Sequence, residues 1–192
     1  MTIPIVTSTD SPARTGVYVG IAAIIMTFAA LTSALVVREG SSPDWVHFHL
    51  PSILFANTLV LLASSGTLEF GRARVGGARV ASARDAPAGI LWVSLTLALG
   101  FVFVTGQIIA CRDLAAQGLY LATSPSSAFF YVFTVLHGLH VLGGLAALGY
   151  ALGRNLRDVG IAPLRTLSAA ALYWHFMGIL WVFLLLILVI RV

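Results

Sequence analysis

Lysine is absent from this chain of 192 residues, cysteine occurs once, and charged residues make up only 9% of the sequence. A single cysteine, Cys111, excludes an intrachain disulfide and a metal cluster built from thiolates. The scarcity of charge, together with 59% hydrophobic residues and a mean hydropathy of +0.97, excludes an ordinary soluble domain. The composition therefore indicates an integral membrane protein.

Apolar residues are concentrated in five runs, each near the length of about 20 residues that a helix needs to cross a bilayer. The runs cover about 16–37, 50–71, 88–110, 128–152 and 167–190. Continuous runs such as GILWVFLLLILVI do not alternate as barrel strands do, and the first run lacks the cleavage pattern of a signal peptide. We therefore predict an all-α fold, a single polytopic membrane domain over residues 1–192 with five transmembrane helices.

The distribution of arginine between the loops predicts the topology. Eight arginines flank one side of the predicted bundle and three flank the other: Arg14, Arg72, Arg74, Arg79, Arg84, Arg154, Arg157 and Arg165 against Arg38, Arg112 and Arg191. By the positive-inside rule, the N-terminus is cytoplasmic and the C-terminus periplasmic. The cytoplasmic segment 71–87, rich in Arg, Gly and Ala, is expected to be a flexible solvated turn. The arginines lie in the flanks of the spans and form no basic face with interleaved aromatic residues, so we expect no nucleic-acid partner.

Polar side chains inside the spans are candidates for function, because hydrocarbon offers them no water as a partner. Glu69 has Arg72 three residues further on, which predicts an interfacial salt bridge; a proton-accepting or lipid-headgroup contact is the alternative. Asn57 begins the hydroxyl-rich series NTLVLLASSGTLE, which is expected to pack against neighbouring helices. Gln107 is the one amide deep in the third run, and we expect it to hydrogen bond to another helix.

Three histidines lie in the last two runs. His137 and His140 stand three residues apart in FYVFTVLHGLHVLGG, so they share a helical face, and His175 opens the fifth helix near the cytoplasmic side. One helix cannot supply both axial ligands of a haem, and no carboxylate or cysteine lies within a turn of the pair. We favour neutral imidazoles that hydrogen bond to neighbouring helices or to a partner subunit, with a metal or haem site as the alternative.

Three segments, in this order along the chain, carry a resemblance to a known family: LPSILFANTLVLLASS, SSAFFYVFTVLHGLHVLGG and YWHFMGILWVFLLLILV. They resemble subunit III of the haem-copper cytochrome c and quinol oxidases, in its shorter five-helix form, over most of residues 50–190. The resemblance implies a subunit that binds no haem or copper, packs against the catalytic subunit I and holds phospholipid. His137, Gly138 and His140 match the family's His-Gly-Leu-His motif, which implies a structural or subunit-contact role for them.

The chain departs from this family in its carboxylates. The first span, GIAAIIMTFAALTSALVV, has no acidic residue, and Gly178 stands where the family frequently has an acid. A glutamate common after the glutamine of the third helix is missing from GQIIACRD. Packing and lipid shielding are therefore better supported than delivery of protons.

We predict a non-catalytic subunit of a respiratory terminal oxidase in a bacterial inner membrane, with no catalytic, metal-binding or cofactor-binding residue of its own. Haem and copper are expected in the partner subunit I, and the other partners are further oxidase subunits and membrane lipids. The candidate structural, subunit or lipid contacts are Asn57, Glu69, Gln107, His137, Gly138, His140, Tyr173, Trp174 and His175, with Tyr173 and Trp174 at the inner membrane boundary. The alternatives are an accessory subunit of a quinol oxidase or nitric oxide reductase complex, and an independent haem-binding membrane protein.

Overall fold

The computed structural model describes residues 12–41, 43–81, 86–157 and 161–192, and these residues form five α-helices and no strand. The helices are α1 (Pro12–Ser41), α2 (Ile53–Ala81), α3 (Ala86–Ala116), α4 (Pro125–Arg157) and α5 (Ile161–Arg191). Each contains a segment long and apolar enough to cross a membrane, where a helix satisfies its own backbone hydrogen bonds. The predicted all-α fold with five transmembrane helices is confirmed, and the chain is a multi-pass membrane protein.

Helices α4 and α5 pack against each other, and each contacts two further helices: α1 and α3 for α4, and α1 and α2 for α5. Helices α2 and α3 share the most extensive contact among the described helices, and α3 also packs against α4. The side chains that α5 turns towards its neighbours are buried, among them Trp174, Trp181 and Leu188. Helix α1 buries few side chains, chiefly Phe28 and Leu35, and contacts only α4 and α5 among the described helices. The described helices are therefore assembled around the α4–α5 pair, and α1, the least buried of the spans, lies at the periphery.

The segment 71–87, expected to be a solvated turn, is largely helical. Helix α2 continues to Ala81 and α3 begins at Ala86, while residues 82–85 lie outside the described part of the chain. Alanine and arginine are strong helix formers, and hydropathy detects only the part of a helix that lies in the membrane. Gly71 and Gly89 let the two backbones meet here, since a Cβ atom on Gly89 would lie 2.8 Å from the backbone nitrogen of Val75. The expectation of a flexible turn was wrong, and a helical hairpin continues beyond the apolar run.

Helix α4 begins at a capped N-terminus. The hydroxyl of Ser124 accepts a hydrogen bond of 3.2 Å from the backbone N–H of Ser127, and Pro125 occupies the first helical position, where no N–H is needed. Tyr131 then holds the preceding turn, because its hydroxyl donates to the carbonyl oxygen of Leu119 at 2.8 Å. These contacts fix the start of the helix that carries the histidine pair.

The loop between α1 and α2 closes one end of the bundle against the end of α5. The indole N–H of Trp45 donates to the carbonyl oxygen of Arg191 at 3.0 Å, and the backbone N–H of Phe48 donates to that of Val192 at 2.9 Å. Arg191 also forms an ion pair of 3.1 Å with Glu39 of α1. The peripheral helix α1 is thus tied to α5 by polar contacts at this end.

Candidate functional site: polar and aromatic contacts between the helices

Three rings from three helices meet inside the bundle: Phe103 of α3, His137 of α4 and Trp181 of α5, named the aromatic cluster below. The imidazole of His137 stacks on the indole of Trp181 with ring centroids 5.1 Å apart, and it meets Phe103 edge to face at 6.1 Å. The rings of Phe103 and Trp181 are 5.4 Å apart, and all three side chains are fully buried. Since such aromatic pairs contribute about 0.5–1.5 kcal/mol beyond burial, the cluster joins α3, α4 and α5.

His137 has no hydrogen-bond partner for either ring nitrogen among the described residues. The predicted bond from this imidazole to a neighbouring helix of the chain is therefore wrong, and a bond to a partner subunit stays a prediction. In the part of the chain that the structure describes, no three His, Cys, Asp or Glu side chains are grouped so that they could hold a metal ion. What the arrangement provides at His137 is aromatic packing.

His140 lies three residues further along α4 but in a different interface. Its Nδ1 atom is 2.7 Å from the carbonyl oxygen of Leu136 in the same helix, and its ring meets Phe28 of α1 at 5.9 Å. Its backbone carbonyl accepts a hydrogen bond of 3.1 Å from the hydroxyl of Tyr173 in α5. The shared face predicted for the two histidines is thus divided between neighbours, since His137 faces α3 and α5 while His140 faces α1.

The two buried tryptophans of α5 donate hydrogen bonds to the hydroxyl series of α2. The indole N–H of Trp174 reaches the hydroxyl of Ser64 at 3.1 Å, and that of Trp181 reaches the hydroxyl of Thr58 at 3.0 Å. The prediction that these hydroxyl groups pack against neighbouring helices is confirmed. Trp174 is fully buried between helices, where its indole N–H has a partner. The location of Tyr173 and Trp174 at the inner membrane boundary stays a prediction.

On its other side, α2 bonds to α3. The amide nitrogen of Asn57 donates to the carbonyl oxygen of Phe103 at 3.4 Å, and the hydroxyl groups of Thr67 and Thr96 are 2.9 Å apart. Gly106 of α3 leaves the space that the Asn57 amide fills, because a Cβ atom there would collide with it. Polar contacts therefore fix the rotation of α2 relative to both α3 and α5.

Glu69 links α2 to α5 as well as to its own helix. One carboxylate oxygen lies 3.0 Å from the guanidinium of Arg72, so the predicted salt bridge is confirmed. The same oxygen lies 2.6 Å from Nε2 of His175, which stands well inside α5 and not at its beginning as predicted. The sequence analysis did not predict the contact between Glu69 and His175. It did assign both residues to the cytoplasmic side, and this shared depth was the signal from which the contact could have been predicted.

Gln107 of α3 and Thr134 of α4 are buried polar side chains among the residues that line a groove between these two helices. They are only 6% and 3% exposed, and neither the amide atoms nor the hydroxyl has a hydrogen-bond partner among the described residues. The predicted bond from Gln107 to another helix of this chain is therefore wrong. An unsatisfied polar group in hydrocarbon costs several kcal/mol, so these two side chains lower the stability of this part of the bundle.

These contacts define a multi-pass helical membrane protein in which histidine, tryptophan and hydroxyl side chains tie the helices together. The family model described as cytochrome c oxidase subunit III matches residues 18–191, from α1 to the end of α5. The chain belongs to the cytochrome c oxidase subunit III family.

Curated relatives carry the corresponding name. The chain is 34% identical over 126 residues to the probable cytochrome c oxidase subunit 3 of Mycobacterium tuberculosis. The aligned residues cover 65% of this chain and 59% of the relative. It is 30% identical over 166 residues to the cytochrome c oxidase subunit 3 of Thermostichus vulcanus, covering 82% and 76% of the two chains. The protein of that name from Synechocystis is 28% identical over 162 residues, covering 81% and 65%. The match thus spans about three fifths of the length of the mycobacterial relative.

Proposed function

We propose that this chain is a non-catalytic subunit of a bacterial haem-copper oxidase, a complex of the plasma membrane that reduces oxygen in aerobic respiration. In this proposal the redox chemistry belongs to haem and copper in the partner subunit I. The observation that carries the proposal is the family match over residues 18–191, which includes all the segments that hold the polar and aromatic contacts. The bacterial relatives support the bacterial inner membrane as the location.

The contacts inside the bundle support a packing role for the candidate residues. His137 is enclosed by two aromatic rings, His140 is bound to the carbonyl oxygen of its own helix, and His175 is paired with a carboxylate. No two of these imidazoles contact the same group among the described residues, which disfavours an independent haem site formed by the three. We propose that Asn57, Trp174 and Tyr173, with these histidines, hold one single membrane domain in the shape that the partner subunit recognises.

Isolation of the tagged full chain from native membranes in mild detergent tests this proposal. We expect haem absorbance to arrive with a large catalytic subunit and to be lost from the chain when its partners are stripped away. The matched variant is His137→Phe, which keeps a ring in the aromatic cluster, and its complex is expected to show an unchanged haem spectrum. A chain that is isolated alone and retains haem would contradict the proposal.

The reductant and substrate of the isolated complex distinguish it from related complexes. We expect oxygen consumption with reduced cytochrome c, because the relatives are named as subunits of cytochrome c oxidases. Oxygen consumption with a quinol alone would instead indicate a quinol oxidase, and reduction of nitric oxide would indicate a nitric oxide reductase complex.

We further propose the orientation that the arginines predict, with the N-terminus in the cytoplasm and the C-terminus in the periplasm. Its test uses the chain with its native cysteine replaced by serine. A cysteine introduced at Asp44, in the exposed loop after α1, is expected to react with an impermeant maleimide added to intact cells once the outer barrier is opened. One introduced at exposed Arg74 of α2 is expected to react only after the plasma membrane is permeabilised, and the opposite pattern would refute the orientation.

A further inference from the structure

Two histidines outside the contacts described above lie at the end of the bundle where α5 ends. His47 and His49 belong to the loop between α1 and α2, and both side chains are exposed. Neither imidazole has a hydrogen bond, an ion pair or a ring contact to a described residue. The ring nitrogens of this pair are therefore free to bind a ligand from outside the chain.

The backbone that carries the pair is extended. Residues 45–50 form no helix, turn or bend, and no non-glycine residue in the described part of the chain has a positive φ. The carbonyl oxygen of Val46 accepts a hydrogen bond of 2.6 Å from the hydroxyl of Ser126, and the backbone N–H of Phe48 donates to the carbonyl oxygen of Val192 at 2.9 Å. Hydrogen bonds from alternate residues to one side are the pattern of a β-strand, in which successive side chains point to opposite faces.

The contact made by Phe48 shows which face the histidines occupy. Phe48 is half-buried, and its ring meets that of Phe130 in α4 edge to face at 6.3 Å. Because His47 and His49 flank Phe48 in an extended segment, they lie together on the opposite face. Their Cα atoms are then about 6.6 Å apart, at about 3.3 Å per residue. At this separation the two imidazoles can converge on one ion.

Two neutral imidazoles on one face suit a divalent transition metal ion. Imidazole nitrogen binds zinc, copper and nickel, with a bond of about 2.0–2.1 Å for zinc. Asp44, the nearest carboxylate in the sequence, is paired with Arg38 at 3.6 Å, and no three metal-ligating side chains are grouped among the described residues. The chain therefore supplies two ligands, and water completes the coordination as it does in open metal sites.

Contacts with the ends of α4 and α5 fix this segment before any ion binds. In addition to the two backbone bonds beside His47, the indole N–H of Trp45 donates to the carbonyl oxygen of Arg191 at 3.0 Å. A ligand pair on a fixed backbone loses less conformational freedom on binding than a pair in a flexible loop. The anchored segment thus favours binding of an ion by both rings at once.

We infer that His47 and His49 bind one divalent transition metal ion, of the zinc and copper class, on the surface at the end of α5. The inference goes beyond the proposed function. Both ligands belong to one loop of this chain, so the site does not depend on an oxidase partner.

Titration of the full chain with Cu²⁺, followed by electron paramagnetic resonance, tests the site. The chain carries Cys111→Ser, which removes its thiol as a competing ligand, and is isolated in mild detergent through a tag without histidine. We expect one bound Cu²⁺ per chain, with two imidazole nitrogens among its ligands in the pulsed spectrum. Competition with a chelator of known affinity gives the dissociation constant.

Matched variants distinguish this pair from the other histidines. His47→Ala and His49→Ala are each expected to weaken Cu²⁺ binding about ten-fold or more, because loss of even an outer group around a metal costs about 10–100-fold. The double variant Val46→His with His49→Ala keeps two histidines in the segment but places them on opposite faces, so we expect it to bind as weakly as His49→Ala. His175→Phe, which removes a histidine of α5, is expected to bind like the parent chain. Thermal melting in detergent checks that each variant is folded.

The complex isolated from native membranes is tested with Zn²⁺ and diethyl pyrocarbonate, a reagent that modifies accessible imidazoles. We expect mass spectrometry to find His47 and His49 modified without Zn²⁺ and both protected when Zn²⁺ is present. Absence of modification would mean that a partner covers the pair, and modification that Zn²⁺ does not reduce would mean that no ion binds there. Either result would overturn the inference.

Cu²⁺ binding that survives both alanine substitutions would also overturn the inference, because the ion would then lie elsewhere on the chain. So would a double variant that binds like the parent chain, because the shared face would then be irrelevant. These outcomes are separable from the proposed function. A chain that binds Cu²⁺ at this pair but is isolated without a haem-containing partner refutes only the subunit assignment, and an oxidase complex in which the pair binds no ion refutes only the metal site.

Discussion

The contact between the backbones of α2 and α3 makes a sharp prediction for the substitution Gly89→Ala. The added Cβ atom would lie 2.8 Å from the backbone nitrogen of Val75, 2.5 Å from its Cγ2 atom and 3.2 Å from the carbonyl oxygen of Gly71. Carbon atoms in ordinary contact are about 3.5–4.0 Å apart. A side chain can rotate away from such a clash, but backbone atoms cannot, so the helices must separate.

The magnitude follows from the cost of overpacking a close interface. Extra methyl groups forced into a packed site destabilise by about 1–3 kcal/mol when the backbone must shift. Alanine favours a helix by about 1 kcal/mol relative to glycine, which partly offsets this cost. Gly66→Ala makes the same gain in helix propensity, and its Cβ atom meets nothing within 4 Å. We therefore expect Gly89→Ala to lower the free energy of unfolding by about 1–3 kcal/mol relative to Gly66→Ala.

Reversible unfolding in mixed micelles, followed by circular dichroism, measures both variants against the parent chain. Adding Val75→Ala to Gly89→Ala removes the Cγ2 contact but leaves the contact with the backbone nitrogen, so we expect only partial recovery. Equal stability of Gly89→Ala and Gly66→Ala would refute the backbone contact. Full recovery in the double variant would show that the clash is with the side chain alone.

Two further predictions concern contacts of α2 with α5. Trp181→Phe keeps a ring in the aromatic cluster but removes the hydrogen-bond donor to Thr58. We therefore expect the free energy of unfolding to fall by about 0.6–1.7 kcal/mol in the same assay, and to fall no further when Thr58→Val is added. Additive losses from the two substitutions would contradict the hydrogen bond. The side chains of the Glu69–His175 pair are 49% and 32% exposed, and we predict that the pair lies at the cytoplasmic surface. A double-mutant cycle with Glu69→Gln and His175→Phe is therefore expected to give a coupling below about 1 kcal/mol, because water at that surface screens an exposed pair. A coupling of several kcal/mol would show that the pair is buried in the assembled protein.

The number and type of the transmembrane elements could be predicted from the sequence because the bilayer imposes them. An apolar run of about 20 residues has one stable form in hydrocarbon, a helix that satisfies its own backbone, and five such runs gave five helices. The extension of α2 to Ala81 could not be predicted in the same way. Outside the membrane, hydropathy does not indicate where a helix ends. The glycines of this segment suggested a turn, but Gly71 and Gly89 serve a close contact between the two helices and Gly76 lies in open space.

The partners of the candidate residues were less predictable. The Glu69–Arg72 pair is local, so helical spacing alone predicted it, whereas the Glu69–His175 contact depends on the depth and rotation of two helices. For Gln107, the chemistry of a buried amide predicted a partner, but the rotation of α3 turns it towards a groove with no partner among the described residues.

What the sequence by itself determined is local: the five spans, the salt bridge between Glu69 and Arg72 on successive turns of one helix, and the motifs that carry the family resemblance. The tertiary structure decided which faces of the helices meet, and this placed His137 between two rings, Trp174 inside the bundle and Gln107 in the groove. The physical reason is that lipid and protein interior are equally apolar, so hydropathy specifies which residues enter the membrane but not which neighbour each side chain faces.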